Sequence, residues 1–254
     1  MDITALSKFF SQYKKRFLTG IPEVDRNQEL KFHHTFMVHL AALHLAQAEN
    51  FSLQETVLLQ QAAICHDISR FEQFCRFRTF NDAVSFDHGE RSFELIRELG
   101  LFEDLPEDEQ TIIFNAVRYH NKRDVPPSLS GAEKKILCAV RDADKVDIMR
   151  VLLEHLRNPE NPDVVYQLDP DPVISPDVES CILSGKPPLH STLRTSLDFM
   201  ASKFAWVFDL NYSWSAQVFL KQNFMAEIRS FLPESPVLDK MLQLAEDTLR
   251  RKSL

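Results

Sequence analysis

The chain has 254 residues, 44% of them hydrophobic, which is enough apolar material for a folded core and too much for a chain disordered throughout. Its net charge is −8, with no concentrated basic stripe, which argues against broad binding to nucleic acid or to an anionic membrane surface. Only 5 glycines are present, and neither G-x-G-x-x-G nor G-x-x-x-x-G-K-[ST] occurs, against dinucleotide and phosphate-loop folds.

The N-terminus is amphipathic and charged and lacks the apolar core of a signal peptide, so the expectation is a soluble, cytoplasmic protein. Cys65, Cys75, Cys138 and Cys181 form no C-x-x-C, which fits reduced thiols. Ser7 to Phe17 reads as a short amphipathic helix. His33 to Glu49 carries Phe36, Leu40 and Leu43 at helical spacing. Ser52, with Glu55 three residues later, is a capping box that starts a helix running to about His66. Asp87 caps a helix from His88 to Leu99, and Gly100 stops it. Pro106 opens a helix over Glu107 to His120, and Ser130 with Glu133 opens another that continues to about Leu156.

Residues 158–190 hold seven of the 13 prolines and read as a connector with one short helix near Asp177 to Leu183. Helices follow at roughly Leu193 to Phe208, Ser213 to Phe231 and Val237 to Arg251. No alternating strand pattern appears. The expectation is an all-α single domain, 1–254, with a core at 31–156, a Pro-rich connector at 157–192 and C-terminal helices at 193–254 packed on the core.

The chemistry gathers around Ala62-Ala63-Ile64-Cys65, an apolar run that leads into His66-Asp67. Imidazole and carboxylate both suit first-row divalent ions. His34 lies near the start of one helix, His88 starts another, His120 ends a third, and Asp144 lies on an apolar face with Ile136, Val140 and Ala143. A buried carboxylate there is costly unless it is paired or binds a metal. Any single histidine among the nine is more often a core or surface group than a ligand. His33, His39, His44, His155 and His190 need no site, and Asp124, Asp142 and Asp147 read as solvated or structural.

The ordered set H…HD…H…H…D resembles the HD-domain superfamily of metal-dependent phosphohydrolases. The stretches that carry the resemblance are K-F-H-H-T-F-M-V (31–38), A-A-I-C-H-D-I-S-R-F-E-Q (62–73), R-T-F-N-D-A-V-S-F-D-H-G (78–89), A-V-R-Y-H-N (116–121) and R-D-A-D-K-V-D-I (141–148). The extended R-F-E-Q, T-F-N-D and D-A-D-K pieces are similar to a bacterial subfamily. The resemblance implies an HD-type helical bundle with one or two divalent ions (Mn, Fe, Co, Ni, Zn or Mg). It assigns His34, His66 and Asp144 to one ion, His88 and His120 to the other, and Asp67 to both as a bridge. His34 is favoured over His33 because the family's ligand histidine precedes a short run ending in Val. Asn121 stands where some relatives have a further histidine, which leaves one ion or two open.

The implied activity is hydrolysis of a phosphate ester, a monoester or diester and plausibly a nucleotide, by a hydroxide bridging the ions. Arg70 has a planar fork that matches phosphate, and relatives use the position of Lys145 to contact it. The catalytic set is then Asp67, Arg70 and Lys145. Asp87 is the best candidate to orient a ligand, ahead of Glu72 and Asp82, and Lys31 and Arg118 read more readily as surface charge. Phe71, Phe74, Phe77, Phe80 and Phe86 read as a short loop packed over the core rather than a base-stacking platform. The partner is a small phosphorylated molecule, and a homodimer contact through residues 157–254 stays open. Two alternatives use the same ligands or fold: a mixed-valent di-iron oxygenase and a non-catalytic nucleotide-binding sensor.

Overall fold

The structure, a computed structural model, describes residues 1–158 and 171–254. The described residues are helical, with no strand: α1 (Ile3–Lys15), α2 (Pro22–Ala48), α3 (Leu53–Cys65), α4 (Arg70–Phe77), α5 (His88–Glu98), α6 (Glu107–Tyr119), α7 (Gly131–Arg157), α8 (Pro176–Leu183), α9 (Ser196–Ala201), α10 (Ser213–Lys221), α11 (Phe224–Ser230) and α12 (Pro236–Lys252). The protein is all-α, as its sequence led us to expect. No described helix is long and apolar enough to cross a membrane. The chain divides into two compact units, Met1–Asp147 and Ile148–Leu254, and the division falls inside α7.

In the first unit α3 is the central helix, with α1, α2 and α6 packed around it and α5 packed on α6. Leu59, Ala62, Ala63, Ile64 and Cys65 have no exposed surface, because small side chains let neighbouring helices approach from several sides. Both halves of the α3 capping box form: Glu55 N donates to Ser52 Oγ at 3.2 Å, and Ser52 N donates to Glu55 Oε2 at 2.8 Å. Such a cap contributes about 1 kcal/mol and fixes where the helix begins.

Two helices start earlier than the apolar spacing indicated. α1 begins at Ile3 rather than Ser7, with Asp2 accepting from Ala5 N at 2.8 Å. α2 begins at Pro22 rather than His33. Proline fits the first turn, and Glu23 and Asp25 favour the positive helix end. Its buried side includes Asn27 and Gln28, polar residues that hide the stripe; Gln28 Nε2 donates to the Phe71 carbonyl at 3.1 Å.

A helix replaces the expected loop after His66-Asp67. α4 is amphipathic, with Phe71 and Phe74 at 0% and 1% exposure on its inner side. Phe71 packs on Phe10 at 5.2 Å between ring centres, and Phe74 packs on Phe80 at 4.8 Å. α4 ends at Arg78 in the left-handed region, φ 56°. Asp87 caps α5 as expected, accepting from Glu90 N at 3.1 Å. A Cβ on Gly89 would stand 2.8 Å from the Arg118 carbonyl oxygen, so glycine is what permits the start of α5 to touch the end of α6.

In the second unit α12 packs against α8, α10 and α11. The helix expected over Leu193 to Phe208 divides into α9 and a 3-10 helix, Ser202–Asp209. The one expected over Ser213 to Phe231 breaks at Asn223, φ 54°, into α10 and α11. Asp198 organises the start of α9. Its carboxylate accepts from Ser175 N at 2.7 Å, Ser175 Oγ at 2.6 Å, Arg194 N at 2.9 Å and Thr195 N at 3.2 Å. The short helix expected near Asp177 is α8; the connector's Pro159, Pro162 and Pro170 lie outside the described residues.

Candidate metal centre

α3 ends at Cys65 and delivers His66 and Asp67 into the interior of the first unit, at 0% and 4% exposure. The chain then turns sharply through Ile68 and Ser69 into α4. Ser69 Oγ donates to the His88 carbonyl at 2.9 Å, tying this turn to the first residue of α5. His120 follows α6, and α7 carries Asp144 and Asp147. His34 sits in the middle of α2 at 3% exposure, whereas its neighbour His33 is exposed.

One nitrogen of each of the four imidazoles is held by a protein acceptor. His66 Nδ1 donates to the Ala63 carbonyl and His120 Nδ1 to the Val117 carbonyl, both at 2.7 Å. Each histidine follows the last residue of its helix and bonds a carbonyl three residues back, so it caps the helix it ends. His34 Nδ1 donates to Asp147 Oδ2 at 2.7 Å, and His88 Nδ1 donates to Asp82 Oδ2 at 2.5 Å. Carbonyls and ionised carboxylates only accept, so Nδ1 carries a proton in each ring and Nε2 is the nitrogen left to face the centre.

The four Nε2 atoms converge on Asp67 and Asp144. His34 Nε2 lies 3.1 Å from Asp144 Oδ1 and 3.6 Å from Asp67 Oδ2. His66 Nε2 lies 3.6 Å from Asp144 Oδ1 and 3.7 Å from Asp67 Oδ2. The other carboxylate oxygen, Asp67 Oδ1, stands 3.4 Å from His88 Nε2 and 3.8 Å from His120 Nε2, and those two nitrogens are 3.1 Å apart. Donors about 2.1 Å from a shared ion stand roughly 3.0–3.4 Å from one another, close to these spacings. Among the described residues His34 Nε2 and His66 Nε2 are buried and find no hydrogen-bond partner, a costly state for a buried polar nitrogen. His34, His66 and Asp144 thus form one group able to hold a metal ion, and His66, Asp67 and His120 another.

The electrostatics keep both central aspartates ionised. Burial alone would raise the Asp67 carboxyl, but Lys31, His66 and Arg70 hold it well below the usual carboxylate range. Burial likewise opposes ionisation of Asp144, and hydrogen bonds and positive charge from His34 and His66 outweigh it. Burial and Lys31 lower His34, but Asp144 and Asp147 raise it above the usual imidazole value. Burial and Arg70 push His88 down to about 4, more than Asp82 and Asp67 raise it, so its imidazole is neutral near pH 7.

Several positions differ from the sequence reading. Asp82 holds His88, while Asp87 caps α5 and accepts from Asn121 Nδ2 at 2.9 Å and from Lys122. Asp147, read as solvated or structural, is a buried partner of His34. Lys31 is not surface charge: its Nζ donates to Asp67 Oδ2 at 2.9 Å. Arg70 Nε donates to Asp67 Oδ1 at 3.3 Å, its NH1 to Asp82 Oδ1 at 3.0 Å, and its NH2 reaches within 3.2 Å of His88 Nε2. Lys145 Nζ lies 3.5 Å from the Arg141 carbonyl, one turn back on α7. Arg118 pairs with Glu90 at 2.8 Å. Arg141, unforeseen from sequence, is 3% exposed and donates to the carbonyls of His120 at 3.2 Å and Arg123 at 3.0 Å, gathering the end of α6.

Residues 32–149 match a family model described as HD domain, a span that includes every residue of this centre except Lys31. That stretch is an HD domain by this match. Comparisons with curated proteins and with solved structures found no match. HD domains typically bind divalent metals, and the family is generally one of metal-dependent phosphohydrolases. The histidines and aspartates of this HD domain form clusters that could hold such ions.

Proposed function

We propose that this HD domain is a metal-dependent hydrolase of a small phosphate ester, with the ligands divided across Asp67. His34, His66 and Asp144 would hold one ion, His88 and His120 would hold a second, and Asp67 would serve both. Divalent ions in such a site act as Lewis acids on phosphoryl oxygens and make a nucleophile of water near neutral pH. The chain's own residues do the rest. Asp82 and Asp147 orient two imidazoles, and the Ala63 and Val117 carbonyls orient the other two. Arg70 keeps Asp67 and Asp82 ionised and turns an N–H edge toward His88. With Lys145 it supplies positive charge for the equatorial oxygens of a transferring phosphoryl group.

The observation that carries the proposal is the common orientation of the four imidazoles: each Nδ1 is bound by the protein and each Nε2 is directed at an aspartate. The test is metal analysis of protein purified without chelator, followed by a phosphate-ester panel on manganese-loaded and iron-loaded samples. The expected results are a metal-to-chain ratio near two and phosphate release from at least one ester. No release across a broad panel of monoesters and diesters overturns the proposal. A ratio near one would remove His88 and His120 from the ligand set.

A further inference from the structure

Two side-chain cations meet Asp67, one at each oxygen, and they are held very differently. Arg70 is fixed in place. Besides its contact with Asp67, its NH1 donates to Gln73 Oε1 at 2.6 Å, to the Phe80 carbonyl at 2.7 Å and to Asp82 Oδ1 at 3.0 Å. Moving that guanidinium breaks several charge-assisted bonds at once.

Lys31 is held by far less. It lies on α2 one turn before His34, and its ammonium has one polar partner among the described residues, Asp67 Oδ2 at 2.9 Å. An ammonium has three N–H donors, so two are left for another acceptor. The side chain is 15% exposed, against 4% for Asp67, so part of it meets solvent. Its Nζ also lies 5.1 Å from the centre of the Phe80 ring, and Arg70 lies 5.8 Å from the same ring. The ring face keeps both cations near Asp67 without consuming an N–H.

Asp67 Oδ2 is also the oxygen that faces His34 and His66. A divalent cation among these donors would draw on the carboxylate charge that now holds Lys31 and would repel the ammonium. The four-carbon stem allows the ammonium to turn to another anion at the rim. We propose that Lys31 is a substrate-binding residue that exchanges Asp67 for a phosphoryl oxygen, favouring a doubly charged phosphomonoester over a singly charged diester. This rests on the phosphate-ester reading above.

The experiment titrates inorganic phosphate and dimethyl phosphate calorimetrically at about pH 8, where free phosphate is mostly a dianion. It compares the metal-loaded full chain with Lys31→Met, Lys31→Gln and Lys31→Arg, with metal content and circular dichroism measured on each. Lys31→Met and Lys31→Gln are expected to keep the parent's fold and metal ratio. Their phosphate affinity should fall by about 10–100-fold, with a smaller loss for dimethyl phosphate, and Lys31→Arg should restore most of it. Unchanged phosphate affinity overturns the assignment, and so does loss of ions from the neutral variants, which would make Lys31 a counter-ion of Asp67 alone. A parent protein that binds ions but no phosphate overturns the phosphate-ester reading, and this inference with it.

Discussion

The residues that orient the centre are as informative as those that face it. Asp147 and Asp82 each fix one imidazole through Nδ1, and loss of such a partner typically weakens metal binding about 10–100-fold. Asp147→Asn and Asp82→Asn are therefore expected to weaken ion binding by that factor in a competition titration with a chromogenic chelator. Asp87→Asn is the control. It retains a good N-cap for α5 and should leave ion affinity within about twofold. Equal losses for all three variants would show that charge, not orientation, governs the centre. The candidate ligands were legible in the sequence because their order and flanking residues form motifs. Lys31 and Asp147 were not, and Asp82 ranked behind Asp87, because their roles depend on which ring nitrogen or carboxylate oxygen they meet. A hint was present: Lys31 precedes His34, and Asp147 follows Asp144, by three residues on one helix, a spacing that shares a face.

At the scale of elements, caps and stops were the readable part, and helices whose buried side is polar were not. Ser52, Asp87 and Gly100 mark ends because each satisfies a backbone group or supplies a backbone conformation within a few residues. The early start of α2 was hidden by Asn27 and Gln28, buried polar residues of which Gln28 bonds a carbonyl distant in sequence. α4 was hidden by its shortness and its phenylalanines, which fit a packed loop equally well. The contact between α5 and α6 brings His88 to His120, and Gly89 sits at the closest approach. Gly89→Ala sets a methyl against the Arg118 backbone, an overpacking cost of about 1–3 kcal/mol. The expected outcome is a metal-to-chain ratio that falls from near two toward one, with a lowered melting temperature. A variant that melts lower yet keeps its full ion content would separate the helix contact from the centre.

Across the whole molecule, stability should respond to ions and to protons. An ion that binds only the folded chain stabilises it by about 2.7 kcal/mol at a hundredfold excess over its dissociation constant. For a chain of this size each kcal/mol is worth about 2–4 °C, so chelation should lower the melting temperature by several degrees, reversibly on adding Mn²⁺. An unchanged melting temperature would mean that no ion stabilises the fold. The acid response has a second source in Asp198. Burial would raise its carboxyl, but Ser175, Arg194 and Thr195 hold it below the usual value. The unfolded chain then binds the proton more readily, so the stabilisation is complete above the ordinary carboxylate pKa and is lost as pH falls through the folded one. The melting-temperature gap between the parent protein and Asp198→Asn should close between about pH 5 and pH 2. A gap independent of pH would assign Asp198 a purely steric role.

The four imidazoles bring one more consequence. Each is oriented by bonds that the protein makes with itself, so aiming the rings needs no ion. Under the proposed function, folding and loading would then be separate events. Which metal occupied the cradle would be decided at the second, by what the surroundings supply, within the preferences of nitrogen and oxygen donors. Such a centre could be emptied and refilled without remaking the molecule, its chemistry set by provisioning as much as by sequence.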